Sequence, residues 1–230
     1  MGENEMKKMI VFGVCILLLA GCTANSPENN TAEVEEVNEY AKLPIKEYPN
    51  SVLMSESPIN TTNIDNYLFR DDCVYIDLRD PNQFYSEGSI SGFVNIPFYG
   101  YIANFSFDEN SLYTMTKKEE GDEVILLGSV GSFKANYLES DALIKDIVPQ
   151  RKCIIVSSTA GVEASYFISL LIQLGYDGSQ LYNGGSFSNG MPNSPAYRTY
   201  KDAKYLVEAM PLYDTTIKYS WTGVLTRVDE

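Results

Sequence analysis

The stretch of the chain best suited to chemistry is a short loop between an apolar run and an apolar helical pattern. Cys153-Ile-Ile-Val-Ser-Ser158 reads as a buried strand, and Val162 to about Leu174 reads as a helix. The turn between them, Ser158-Thr159-Ala160-Gly161-Val162-Glu163, is made mostly of small residues. A strand that feeds a helix in this way presents several backbone N–H groups at the positive end of the helix dipole, which makes a ready cradle for an anion. Reaction in such a cradle needs a nucleophile and a means of activating it. The 230-residue chain contains no histidine, which excludes Ser-His and Cys-His catalysis and removes the commonest metal ligand. No cofactor and no metal site is expected.

The elements that must position this loop follow from composition and pattern. A hydrophobic content of 44%, with 12% aromatics, supports a real core, and the length suits one full α/β domain plus tails. The net charge of -14 argues against nucleic acid and against docking on anionic lipid headgroups. Asn60 or Thr61 is placed to cap a helix whose Ile64, Tyr67 and Leu68 share one face. Cys73-Val-Tyr-Ile-Asp77 has the short apolar form of a buried parallel strand. Glu123 to Leu127 reads as another strand. Leu138 to Val148 reads as a helix stopped by Pro149, with Leu138, Ala142 and Ile144 offered to the core. Strands separated by helical patterns predict a parallel sheet with helices on both faces.

Several short motifs lie between these elements. Asp77-Leu-Arg79-Asp-Pro81 follows the first strand. Gly88-Ser-Ile90-Ser-Gly92-Phe-Val-Asn-Ile96-Pro97 comes next, and Leu171, Gly175-Tyr176 and Gly184-Gly185 punctuate the later part. In order and spacing these motifs, with Gly161, resemble the rhodanese-like superfamily over roughly residues 55–195. The resemblance implies a three-layer α/β/α domain with a central parallel sheet. In this chain it would span 51–195, with an insertion at about 98–137 and an extension, 196–230, packed on the domain. Ser89 and Phe93 stand where the family has histidine and alanine, and both are read as scaffold changes. Asp77 and Arg79 are expected to form an ion pair that pins the strand to its loop, not a catalytic pair.

Aligning Gly161 with the family's glycine sets Ser158 at the position of the catalytic cysteine and Glu163 at that of the usual arginine. The family's sulfur transfer needs a thiolate that carries a persulfide. A hydroxyl cannot hold the transferable sulfur, and Glu163 adds a negative charge to the rim of an anion site. No catalytic residue is therefore expected in the degenerate loop. The resemblance also makes the strands that begin at Cys73 and Cys153 neighbours, so these two cysteines are read either as two free buried thiols or, outside the cytoplasm, as a disulfide.

At the amino terminus, Lys7-Lys8 precede an apolar run from Met9 to Leu19-Ala20-Gly21-Cys22. The run is too short to span a bilayer core of about 30 Å, but it suits the apolar region of a signal peptide. Its ending resembles the lipobox of bacterial lipoproteins. That implies removal of residues 1–21, a lipid anchor on Cys22 and an extracytoplasmic, membrane-bound protein. Residues 22–50, rich in Glu, Asn, Pro, Ser and Thr, read as an acidic flexible tether. In the insertion, Tyr99, Tyr101, Phe105, Phe107 and Tyr113 are read as packing or as a partner-binding face. In the tail, Lys204–Glu208 is open between helix and strand, Thr216–Trp221 alternates like an edge strand, and Trp221 is read as a packing residue.

Three functional readings follow. The first is a lipoprotein whose inactive rhodanese-like domain is a binding or structural module, with an unknown protein or small molecule as partner. The second is a sulfurtransferase that works without the usual loop cysteine. The third is a sensor whose Ser158–Glu163 loop takes a small neutral or cationic ligand.

Overall fold

A computed structural model describes residues 40–117, 119–120, 123–124, 130–150, 152–190, 194–211 and 216–228. Strands β1 (Cys73–Asp77), β3 (Val94–Asn95), β9 (Cys153–Ser158) and β10 (Leu181–Ser186) form a parallel sheet in the order β10-β9-β1-β3. Cys73 pairs with Cys153 and Asp77 with Ser157, so the two central strands run in register from end to end. β2 (Ser89–Ile90) lies outside this sheet, paired antiparallel with β11 (Leu206–Val207). The stretch left open between helix and strand is thus a strand.

The two-residue period of a strand sends alternate side chains to opposite faces. Ile76, Ile154, Val156 and Leu181 share one core cluster with Phe167, Ile168 and Leu171 of helix α3 (Val162–Gln173) and Ile144 of helix α2 (Ser140–Ile147). Tyr75, Ile155 and Tyr182 share the other with Ile59, Ile64, Leu68, Phe187 and Tyr197. Each fully buried side chain of this size contributes about 1.5–3 kcal/mol. The second face is covered largely by 3-10 turns, Ile64–Tyr67 and Tyr197–Thr199. The result is a mixed α/β fold compatible with three layers, whose second layer is made of short turns. The cap of the first of those turns is Asn63, without a side-chain cap bond, and not the expected Asn60 or Thr61; Asn60 Oδ1 instead accepts from the Thr62 backbone and hydroxyl in the turn just before it.

Helix α1 (Pro81–Glu87) follows β1 directly, capped by the Asp80 carboxylate, which accepts from Asn82 N. The insertion builds its own small sheet, in which β4 (Ala103–Asn104), β5 (Tyr113–Lys117) and β8 (Val130–Ala135) are ordered β4-β5-β8. Between the last two, β6 (Glu119–Glu120) pairs with β7 (Glu123–Val124). The strand expected over Glu123–Leu127 is therefore seen only in its first two residues, the remainder lying outside the described residues. Gln173 at the end of α3 ties the insertion to the domain. Its amide donates to Phe133 O at 2.8 Å and accepts from Phe133 N at 3.0 Å, as a neighbouring strand would.

Four expectations are corrected. Residues 40–50 are not a free tether. Lys46 is 4% exposed, and its ammonium donates to the carbonyls of Pro49, Ser51, Gly178 and Leu181 at 2.8–3.0 Å. Burial pushes that ammonium down to about 8. Second, Leu138 is 68% exposed and Ala142 is exposed, while Ile144 and Val148 carry the helix's apolar face. Leu138 precedes the first turn of α2, and Ala142, two residues from Ile144, lies about 200° around the helix from it and so on the opposite face. Third, Thr216–Trp221 is not a strand; it is held by side chains, as described below. Fourth, Cys73 and Cys153 are register partners but remain two buried thiols rather than a disulfide. Burial and the neighbouring Cys73 sulfur push the Cys153 thiol up, so it stays protonated.

Candidate functional site: a disarmed anion cradle

β9 ends at Ser158 and α3 begins at Val162, so the loop sits at the carboxyl edge of the sheet, where open α/β sheets place their sites. Gly161 is the N-cap residue at φ 79, a left-handed conformation that lets the chain turn sharply into the helix. The loop's carbonyl side is saturated. Thr159 O accepts from Asn189 N at 2.9 Å, Ser188 N at 3.2 Å and Ser186 Oγ at 2.8 Å. Gly161 O accepts from Asn183 Nδ2 at 2.9 Å and Ser165 Oγ at 3.2 Å. The amide side is free: no described residue accepts from Thr159 N, Ala160 N or Gly161 N. The loop's carbonyls are thus committed within the fold, while three of its amides have no acceptor among the described residues, as an anion cradle would require.

Ser158 ends β9, immediately before these amides. Position parity puts this side chain on the α3 face of the sheet with Ile154 and Val156. Its relative exposure is 0%, and its hydroxyl has no hydrogen-bond partner among the described residues. The hydroxyl meets neither base nor activating charge. Glu163 stands in the first turn of α3, and its Oε2 is likewise buried without a partner. The sulfur nearest the loop is a thioether: a Cβ built on Gly161 would lie 2.7 Å from Met54 Sδ. It has no proton to lose and is no substitute for a thiolate. Cys73 and Cys153 begin their strands, at the opposite end of the sheet.

The chain matches no protein-family model, no curated protein and no solved structure. Function must be read from the site itself.

The motif residues around the loop have structural work. Asp77 and Arg79 side chains are both 0% exposed and pair at 2.8 Å. Arg79 also donates to Gly88 O at 2.7 Å, meets Glu87 at 3.4 Å and lies 3.7 Å from the centroid of the Phe187 ring. Burial pushes the Asp77 carboxyl up, against the hydrogen bonds and charge of Arg79. The pair clamps β1, the end of α1 and the segment after β10 together, with no route to a substrate. Gly88 is at φ 87, and a side chain there would run into Val207 O, so glycine is what lets the β2–β11 pairing close. Gly92, also at positive φ, lies beside the Phe69 ring. Gly184 and Gly185 form the bulge in β10, where added Cβ atoms would meet Ile64 and Thr61. Ser89 and Phe93 are buried.

Sequence reasoning missed Asn183. Its Nδ2 also donates to Ser165 Oγ at 3.1 Å, and its Oδ1 accepts from Gly185 N at 3.1 Å, which ties the bulge to the start of α3. The signal was an amide directly before a Gly-Gly pair, a position where a side chain can complete the irregular backbone. The aromatic insertion divides in two. Tyr113 is buried, while Tyr99, Phe105 and Phe107 are 46%, 42% and 40% exposed. Burial, then Glu163 and Tyr166, push the Tyr99 phenol up to about 12, which locates it beside the loop.

Proposed function

We propose that this chain is a membrane-anchored extracytoplasmic lipoprotein whose rhodanese-like domain does not transfer sulfur and serves as a binding or structural module. The observation that supports the reading is the buried, unpartnered hydroxyl of Ser158 at the start of a loop whose Thr159, Ala160 and Gly161 amides have no acceptor among the described residues. A cradle that stabilises negative charge is of use to a sulfurtransferase only when a thiolate lies within it. Here an oxygen occupies that place, no histidine exists to activate it, and Glu163 opposes an incoming anion.

The test is thiocyanate formation from thiosulfate and cyanide. Wild-type protein should give none above the uncatalysed background, and turnover by wild type overturns the proposal. Ser158→Cys is the informative control, since activity in that variant alone means the cradle is sound and merely lacks its sulfur.

The anchor rests on the Lys7-Lys8, Met9–Ala20 and Cys22 pattern, which lies outside the described residues. No helix among the described residues is long and apolar enough to cross a membrane. Cys22→Ser should move the protein from the membrane pellet to the soluble fraction. Retention in the pellet after a high-salt wash would sink the lipid-anchor reading.

A further inference from the structure

A second concavity lies on the same edge of the sheet, with walls from the insertion and the tail and no Ser158–Glu163 loop residue in its lining. It encloses about 330 Å3, with Asp80, Pro97, Tyr99, Tyr101, Asp108 and Tyr219 in its lining. The tail has no regular structure here, yet it is fixed at three points. Ile217 N donates to Asn82 Oδ1 at 2.8 Å, and Asn82 Nδ2 returns a bond to Ile217 O at 3.3 Å. Asn110 Nδ2 donates to Gly100 O and Tyr219 O, both at 2.7 Å, joining the insertion to the tail. Trp221 stacks on Tyr101 at 4.0 Å and 6°, and its Nε1 donates to Tyr101 O at 2.9 Å. Three side chains thus fix the tail as a wall of the cavity, and Trp221 and Tyr101 also pack on the core.

The lining has a definite chemistry. Asp80 Oδ1 accepts from Asn82 N, and Asp108 Oδ1 from Asn110 N, so both carboxylates are fixed while neither Oδ2 has a partner among the described residues. Three tyrosine rings surround them, and Lys218 is the one cation in the lining. Aromatic rings with carboxylates attract an organic cation, each ring contributing roughly 0.5–2 kcal/mol depending on desolvation. The net charge of -14 raises the local concentration of any cation. An inorganic ion would gain little from the rings, and an anion would meet two fixed carboxylates.

We propose that this cavity binds an alkylammonium group, held by the carboxylates of Asp80 and Asp108 and the rings of Tyr99, Tyr101 and Tyr219. Two sources share that chemistry, a free amine and the side chain of a lysine on a peptide. The site is independent of the Ser158 loop, and Lys218 is the charge that works against the ligand.

The protein carries its own reporter, because Trp221 is its single tryptophan and stacks on a wall of the cavity. The full chain would be titrated with butylammonium chloride and with an acetylated, amidated lysine peptide, following Trp221 emission and, in parallel, heat. Saturable binding below about 10 mM is expected for at least one probe, with sodium chloride at equal ionic strength giving no such response. Saturation by butylammonium points to a free amine, and saturation by the peptide alone to a lysine side chain. Asp108→Asn, which keeps the acceptor for Asn110 N, should weaken binding about three- to ten-fold. Lys218→Gln should strengthen it about two-fold or more, and Ser158→Cys should leave it unchanged. Absence of saturation by either probe, or weaker binding in Lys218→Gln, overturns the assignment. Since Lys218 is exposed, its variant tests the charge without risk to the fold.

Discussion

Two polar groups end adjacent strands of the same sheet, three residues of register apart at most, and they are treated in opposite ways. At the end of β1 the Asp77–Arg79 pair is buried and satisfied on every side by Gly88 O, Glu87 and the Phe187 ring. At the end of β9 Ser158 is just as buried and satisfied by nothing. A buried polar group is retained without a partner only where stability was not what selected it. The contrast separates a clamp from a polar group that the surrounding fold leaves unsatisfied, although both begin as polar residues at a strand's carboxyl end.

The largest effect should come from breaking the clamp on one side. Arg79→Met leaves Asp77 as an uncompensated buried charge and should cost about 3–5 kcal/mol, read as a lowered denaturant midpoint. A loss under about 1 kcal/mol would mean that Asp77 is not held charged by this pair.

Satisfied hydroxyls extend the comparison to alkaline pH. Tyr176 OH donates to Val148 O at 2.5 Å and Tyr182 OH to Pro44 O at 2.9 Å, and burial pushes both phenols up to about 12. A folded-state value above the unfolded one, about 10, means the folded protein holds these protons more tightly. Their contribution is fully present below pH 10 and is lost as pH rises through about 12. Stability measured against pH should therefore fall across that window, in step with tyrosinate absorbance. A flat profile would show that the phenols ionise without strain.

The smallest effect sharpens the comparison most. Ser158→Ala removes a hydroxyl that makes no bond, so stability should change by less than about 1 kcal/mol, and in the favourable direction if at all. A loss of about 2 kcal/mol or more would show that the hydroxyl is bonded in solution.

Much of this was legible without coordinates. The apolar runs at Cys73–Asp77 and Cys153–Ser158 announced a parallel sheet, and the Gly161 turn the start of the helix after it, because strand period and turn chemistry are local properties. The placement of Asp77 and Arg79 two residues apart announced the ion pair. Other features were not legible. Leu138 and Ala142 share a face by spacing, but the core takes the face of Ile144 and Val148 instead, which only packing decides. Lys46 lies in a stretch whose composition reads as a tether, and two carbonyls of its own stretch with two from the distant Gly178–Leu181 segment make it a fastener. Asn82 and Asn110 look like ordinary surface amides until the tail is seen to hang from them.

The amino-acid sequence by itself determined which atoms are available: a hydroxyl and no thiol in the loop, no imidazole anywhere, an excess of carboxylates, and a single indole. Tertiary structure alone decided which of those atoms meet. Asp80 and Asp108 face one cavity with Tyr219 only because a tail without helix or strand is tied to the insertion by long-range hydrogen bonds. Contacts across a hundred residues leave no periodic trace in the chain, so they are set by packing and not by pattern.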